Sequence, residues 1–298
     1  MQYTVEDKWI NIDISSLFVK TIQEFFDNYI PSRKVQHLLI QNKQILLDGN
    51  PVKREDDIVG LNLDINLYPE SHHYEEVSLK PDVIYEDEII LIVNKPKDIL
   101  VHSDDEKEIT MNKIVESYYK DQNYISALPI HRLDKQTSGL LVYSKSPVFQ
   151  PILDKLLSEK QIRRNYLAFV QGKMKIGETM AIDKSIGNDR HNSNKRIIYK
   201  DGQKALTKVR CLACNKAKNY SVLLCTLDTG RTHQIRVHLS SIGYPILNDG
   251  LYGVNSDLCV RMGLFAQSVD LYHPLKEENM YIEAELPNDL NRLYQEAL

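Results

Sequence analysis

Behind Ser15 and Ser16, the residues Phe18, Ile22, Phe25, Phe26 and Tyr29 recur at helical spacing, which predicts a serine-capped helix over 15–30. Pro31-Ser32 ends it and opens a second helix through Arg33, Val35, Leu38, Leu39 and Ile40. Gln44–Leu47 then alternates into Asp48-Gly49-Asn50, a hairpin signal, and Ile65–Leu67 supplies another short strand. Two helices followed by a small hairpin sheet make a unit of about 55–60 residues, small but able to fold alone. From Tyr68 to Asp82 the chain is polar, holds two prolines and lacks an apolar period. That stretch predicts a linker and a boundary near residue 76, dividing the chain into 1–76 and 77–298. Beyond it, strand-like runs predominate at Ile89–Val93, Gly139–Ser144, Tyr166–Val170, Leu206–Leu212, Tyr220–Leu227 and Met280–Leu286. Helical patterns at Asn112–Tyr119, Gln150–Ser158 and His233–Ser241 interrupt them. The expected fold class is α+β with a mainly antiparallel, mixed sheet, preceded by a small α+β domain.

Composition narrows the function classes. The longest aliphatic run, Ile89–Val93, is far short of the roughly 20 residues a membrane helix needs. The opening MQYTVEDKWI lacks a basic-then-apolar signal pattern, so a soluble cytoplasmic protein is expected. With 37 basic and 41 acidic groups among 298 residues, the net charge of −4 argues against a polyanionic partner. The distribution reverses that inference. Residues 155–240 hold 18 Lys and Arg against 6 Asp and Glu, a net of +12, whereas residues 1–75 carry −5. A basic block on an acidic chain is an electrostatic footprint for phosphates, although a solvated face gives the same count.

Four cysteines, Cys211, Cys214, Cys225 and Cys259, are expected to stay reduced. Cys211 and Cys214 have knuckle spacing, but no second pair follows and the run is strand-like, which argues against a metal site.

Three clusters could carry chemistry. His131-Arg132-Leu133-Asp134-Lys135 precedes a Thr-Ser-Gly turn, with Thr137, and then an apolar strand. Reactive groups are often presented at such a strand end. Arg132 and Lys135, if they approach, favour an ionised Asp134, which could then be a nucleophile or an electrostatic stabiliser. A turn aspartate satisfying backbone donors is the plain alternative. Within the Thr229–Leu239 cluster, Thr232 reads as the N-cap of the His233–Ser241 helix, with an Ile235/Leu239/Ile242 stripe and Gly243 at its C-terminal end. His233 and Arg236 share a face outside that stripe, and a solvated face is the alternative. Arg163-Arg164-Asn165-Tyr166 leads into a strand, where Tyr166 is either a core tyrosine or an aromatic platform for an unstacked base. Lys184, Arg190, Lys195, Arg196, Lys200 and Lys204 follow in a stretch without apolar period, read as a phosphate-contacting flap.

At these residues the chain resembles the RluA-type pseudouridine synthases, which isomerise uridine in RNA. HRLDKQTSGLL at 131–141 is similar to their signature, and Asn94-Lys95-Pro96 through Val101-His102 to their early segment. Arg164–Ala168, TGRTHQIRVHL at 229–239, Gly243–Gly253 and Arg261–Pro274 match further blocks in order. Residues 15–67 resemble, more weakly, the S-four-type (αL) RNA-binding domain that often precedes the catalytic one.

The resemblance implies that Asp134 is the catalytic aspartate, Tyr166 the active-site tyrosine that packs on the base, and Arg236 its ion-pair partner. It implies that Arg132 enters the RNA stack as the base flips out. His131, Thr137, Arg164, Arg231, His233 and Gln234 are expected around the substrate, and Arg33, Lys34, Lys195 and Arg196 along the RNA. RNA is the implied partner, with large-subunit ribosomal RNA favoured over transfer RNA. No cofactor and no metal is implied, and a monomer is the default expectation. The chain departs from the pattern at Asp98, Lys43 and Leu63, where glycine is usual, at Ser103, where proline is, and at Phe265, where histidine is.

Overall fold

The computed structural model describes residues 1–15, 17–57, 60–67, 76–122 and 125–298. The N-terminal part contains β1 (Gln2–Glu6), β2 (Trp9–Asp13), α1 (Ile22–Tyr29), α2 (Arg33–Gln41), β3 (Ile45–Leu47), β4 (Asn50–Pro51) and β5 (Asn62–Asn66). Its five strands run in the order β1-β2-β5-β3-β4.

Two sequence expectations change here. The first helix begins at Ile22 behind Thr21, whose side chain accepts from the Glu24 N–H, and Ser16 lies outside the described residues. Phe18, assigned to the helical stripe, is fully exposed before the helix starts. The β1–β2 hairpin, absent from the sequence reading, supplies two of the sheet's strands and buries Ile10 and Ile12. Residues 68–75 of the linker expected over 68–82 also lie outside the described residues.

The larger part contains β6 (Val83–Glu86), β7 (Ile90–Lys95), α3 (Met111–Tyr118), β8 (Leu128–Pro129), β9 (Ser138–Ser144), α4 (Gln150–Ser158) and β10 (Ile162–Gln171). There follow β11 (Thr179–Asp183), β12 (Ile186–Asn188), β13 (Arg196–Ile198), β14 (Leu206–Asn215), β15 (Tyr220–Leu227), α5 (Gln234–Ser241), β16 (Leu264–His273), β17 (Glu278–Glu283) and α6 (Asn288–Ala297). Ten of these strands form one sheet with the path β11-β14-β15-β10-β16-β9-β7-β6. Its pairings are antiparallel except β9 against β16. The basic stretch read as a flap contains a two-stranded hairpin, β12–β13. Buried apolar side chains of both sheets share one core, and Ser146 Oγ donates to the Leu67 carbonyl across them at 2.6 Å.

The parallel junction positions the site. Ala266 of β16 faces Gly139 of β9 on one side and Tyr166 of β10 on the other. The loop that feeds β9, which carries Asp134, therefore arrives beside Tyr166. Gly139 has φ +113°, and a Cβ there would meet the Ala266 carbonyl oxygen at 2.2 Å. The strand can approach because this residue has no side chain.

A second brace acts on the same loop. Lys95, fully buried at the end of β7, donates from Nζ to the carbonyls of Pro96 (2.8 Å), Ile99 (2.7 Å) and Lys135 (3.1 Å). The Asp98 N–H donates to the same Lys135 carbonyl at 2.8 Å, and Asp98 adopts a left-handed φ of 66° to do so. Lys43 is likewise left-handed, at φ 56°. Two positions at which the resemblance leads to the expectation of glycine thus have a glycine-like backbone with another residue. Burial lowers the Lys95 pKa to about 8, opposed by the charges of Asp134 and Asp98.

Gly139→Ala should cost about 3 kcal/mol in chemical denaturation, because strain and overlap with backbone cannot relax together; a loss under about 1 kcal/mol would overturn this account of the junction. Lys95 supplies a pH signature. Its folded pKa lies below the unfolded one, so between about pH 8 and pH 10.5 the unfolded chain holds the proton and the folded chain does not. Wild-type stability should rise through that window relative to Lys95→Met. A parallel pH dependence of the two proteins would contradict it.

Candidate active site

Asp134 sits in the loop between β8 and β9, its carbonyl accepting the Thr137 N–H at 3.1 Å to close a turn. Its side chain is 19% exposed, and Oδ2 receives Arg236 Nη1 at 3.0 Å. The cations adjacent in sequence do not serve it. Lys135 turns away to Glu108 at 3.0 Å, and Arg132 is exposed at the mouth of the cleft. The side chains that reach Asp134 come from α5 and its N-cap instead, with the Arg236 guanidinium in contact and the His233 imidazole Nε2 at 3.8 Å.

Arg236 is buried, not on a solvated face. Asp249 grips it bidentately, Nε to Oδ2 and Nη2 to Oδ1, both at 2.7 Å. Oδ1 of Asp249 also accepts the N–H groups of Leu251 (3.0 Å) and Tyr252 (3.2 Å). Gly253 lets this turn close, since a Cβ there would lie 2.1 Å from the Ile246 carbonyl oxygen. Burial disfavours the guanidinium charge, but the two carboxylates outweigh it and raise the Arg236 pKa. Asp249 is driven the other way: burial raises its pKa, and Arg236 with the two N–H donors brings it below the usual carboxylate value.

Tyr252 extends the assembly. Its ring lies 5.2 Å from the Arg236 guanidinium carbon, and its hydroxyl accepts the Arg196 N–H at 2.6 Å and meets His233 Nδ1 at 2.9 Å. The β12–β13 hairpin is pinned to the site through Tyr252, with Lys195 Nζ 5.5 Å from the same ring. Lys195 and Arg196 therefore stand beside the cleft wall, outside its lining. Burial lowers the His233 pKa, with Arg236 and Arg196 adding to the effect and Asp134 and Asp249 opposing it.

The start of α5 differs from the expected cap. His233 occupies the N-cap position in a left-handed conformation, φ 59°, without a side-chain cap bond, and Thr232 precedes it. Gln234 ties this turn to the sheet. Its Oε1 accepts from Thr229 Oγ1 (2.7 Å) and the Arg231 N–H (3.0 Å), and its Nε2 donates to the Leu206 carbonyl and Thr207 Oγ1, both at 3.0 Å. Gly243 follows the helix at φ +84° as expected. His238 is buried between Thr207 Oγ1 and the Lys184 carbonyl, each at 2.9 Å.

Tyr166 and Arg164 share the cleft-facing side of β10, with a bulge against β16 between Asn165 and Tyr166. Burial raises the Tyr166 pKa, Arg164 lowers it and Asp134 raises it further. His131 accepts the Val142 N–H on Nε2 at 3.3 Å, and burial first, then the Arg164 charge, lowers its pKa to about 3. These side chains, with buried Thr137, Arg231 and the Asp134–Arg236 pair, line one cleft of about 470 Å³. Of the expected site residues, Asp134, Tyr166, Arg236, Arg132, His131, Thr137, Arg164, Arg231, His233 and Gln234 all come together there. Arg33 and Lys34 do not; they are exposed on α2, where Arg33 Nη1 bonds Gln23 at 2.7 Å.

Sequence reasoning gave no role to Asp249, Tyr252 or Lys95. The signal was present in each matched block, but which buried charge pairs with which is set by the fold. Among the described residues no three His, Cys, Asp or Glu side chains gather as a metal site, and no helix is long and apolar enough to cross a membrane.

Comparison with known proteins agrees with this geometry. Residues 89–241 match the family described as RNA pseudouridylate synthase. An uncharacterized RNA pseudouridine synthase of Bacillus subtilis, YhcT, is 36% identical over 214 residues, which is 71% of this chain and 70% of that one. Ribosomal large subunit pseudouridine synthase D of Escherichia coli K12 is 30% identical over 298 residues, 93% of this chain and 89% of its own. The solved human RNA pseudouridylate synthase domain containing 1 shares the fold with TM-score 0.57 at 23% identity, over 74% of this chain and 96% of that one. With its ordered blocks folded around a single cleft and its match to the family running through them, the chain belongs to the RluA-type RNA pseudouridine synthases.

Proposed function

We propose that this enzyme isomerises uridine in large-subunit ribosomal RNA, with Asp134 as its essential carboxylate and the target base flipped into the cleft. The observation that carries the reading is the half-open Asp134 carboxylate held by buried Arg236 in the cleft that Tyr166 lines. The reaction breaks the bond from uracil nitrogen to the sugar, turns the base, and joins a ring carbon to the same sugar carbon. The proton lost from that ring carbon is balanced by one gained at nitrogen, so no redox partner is needed.

Asp134 supplies either the attack on the nucleoside or the proton removal, and both use its exposed oxygen. Extruding a base costs a few kcal/mol, and stacking on Tyr166, worth roughly 1–3 kcal/mol, offsets much of that. Relatives named as large-subunit ribosomal RNA enzymes, aligned over 93% of the chain, favour that RNA class. In this reading residues 1–76 form an accessory RNA-binding domain, with Arg33 and Lys34 as placed contacts on a part of the chain that is acidic in net charge, and Lys195 and Arg196 extend the track beside the cleft. In the same reading Arg132, which is exposed and lines the cleft, enters the vacated stack.

Replacing Asp134 with Asn should abolish tritium release from ribosomal RNA labelled at uracil carbon five while leaving RNA affinity within a few-fold. Retained release, or a wild-type protein that binds RNA without isomerising it, would sink the proposal. Asp249→Asn tests the support of the pair. Turnover should fall about 10- to 100-fold, with RNA affinity nearly unchanged, because the variant loosens Arg236 and leaves the RNA-facing groups in place. A loss confined to affinity would make Arg236 and Asp249 a binding element instead.

A further inference from the structure

Arg164 differs from the other arginines of the cleft. It is 8% exposed, its Nε has no hydrogen-bond partner, and its guanidinium makes no ion pair among the described residues. Arg236 has two carboxylates, and Arg231 Nε donates to the Lys204 carbonyl at 3.1 Å. A guanidinium mostly withdrawn from water, with only its terminal fork left to the cleft, is costly without a counter-ion, and its neighbours do not supply one. His131 is neutral, Tyr166 is a phenol of raised pKa, and Asp134 makes its ion pair with Arg236 and not with Arg164.

The wall beside this guanidinium is shaped for access. A Cβ on Gly230 would lie 3.1 Å from Arg164 Nη1 and 3.4 Å from Nη2. Gly230 does not have a left-handed φ, so backbone conformation does not demand glycine there. The missing side chain leaves room at the fork instead. An unpaired guanidinium presents planar, paired N–H donors that match two oxygens of a phosphate, whereas a neutral carbonyl would leave the charge uncompensated.

We propose that Arg164 is a preformed receptor for one phosphodiester group of the RNA, that of the nucleotide whose base stacks on Tyr166. The proposal rests on RNA being the substrate. Arg164 and Tyr166 lie two residues apart on one face of β10, so the strand holds a phosphate and its base with the same element. The phosphate supplies the counter-ion that the folded protein lacks.

Affinity for a large-subunit ribosomal RNA transcript, followed against salt concentration, tests this. Arg164→Met should weaken binding about tenfold or more and reduce the slope of log Kd against log salt by about 0.7, one phosphate contact on a single strand. Arg164→Lys should keep the slope and lose part of the affinity, since the charge remains and the fork does not. Gly230→Ala keeps the net charge and meets the movable end of a side chain, so it should fold and still bind RNA several-fold more weakly. An unchanged slope in Arg164→Met, or wild-type affinity in Gly230→Ala, overturns the proposal. Tritium release by the wild type is scored separately: an active enzyme with an unchanged slope leaves the isomerase reading intact and removes the phosphate site, whereas an inactive enzyme with a reduced slope does the reverse.

Discussion

A single buried guanidinium, Arg236, joins the two carboxylates about which the cleft is organised. The sharing is unequal. Asp249 is fully buried, holds two of the guanidinium nitrogens and accepts two backbone N–H groups. Asp134 receives one nitrogen on one oxygen and stays partly open to solvent. Burying one cation with one carboxylate alone would give a neutral, inert pair. Adding a second carboxylate at the open end leaves one negative charge facing the cleft, oriented by the guanidinium but not consumed by it. Removing either carboxylate therefore changes the character of the other, and the pair works as a unit of three.

That unit requires three chain segments to meet within a few ångströms, and the sheet arranges the meeting. Ala266 has Gly139 on one side and Tyr166 on the other, so the Asp134 loop and the tyrosine strand lie on either side of β16. The Lys135 carbonyl, one residue after Asp134, takes hydrogen bonds from both Lys95 Nζ and the Asp98 N–H. The backbone beside Asp134 is thus fixed from the β7 side while its carboxylate is fixed from α5. Left-handed backbone at Asp98 and His233 occurs at two of these junctions, a cost carried by packing around them.

Apolar periodicity predicts the elements well where burial is apolar. The helix at 150–158 has the bounds expected from its sequence, and the β9, β10 and β15 runs lie where their hydrophobic blocks are. It fails where burial is polar or where a pattern is imitated. Lys95 and Arg236 are as buried as leucines, yet their charge makes a helical or strand period count them as surface. Phe18 continues the spacing of Phe25 while lying outside the helix, because Thr21 caps later than the serines suggest. The β1–β2 hairpin was legible as well, since Ile10, Ile12 and Ile14 alternate with Asn11 and Asp13, a strand period that went unread. Asp134, Tyr166 and Arg236 were legible through the motifs that contain them. The Asp249 partnership was not, since a motif states which residues recur and not which charge neutralises which.

Charge shows the same limit. The basic block over residues 155–240 suggests a broad attraction for RNA, but four of its 18 cations are already paired within the protein. Lys160 and Lys208 both pair with Asp228, Lys218 with Glu296, and Arg236 with its two carboxylates. Lys184 turns onto the end of α5 at Ser241. Internally paired cations release few counterions on binding, so the salt dependence of RNA affinity should reflect the unpaired groups rather than the net of +12. Among these, Arg164 stands inside the cleft and Lys195 beside it. In the proposed reading the unpaired cations nearest the cleft matter most, because a phosphate contact there sets the register of the strand as well as its affinity.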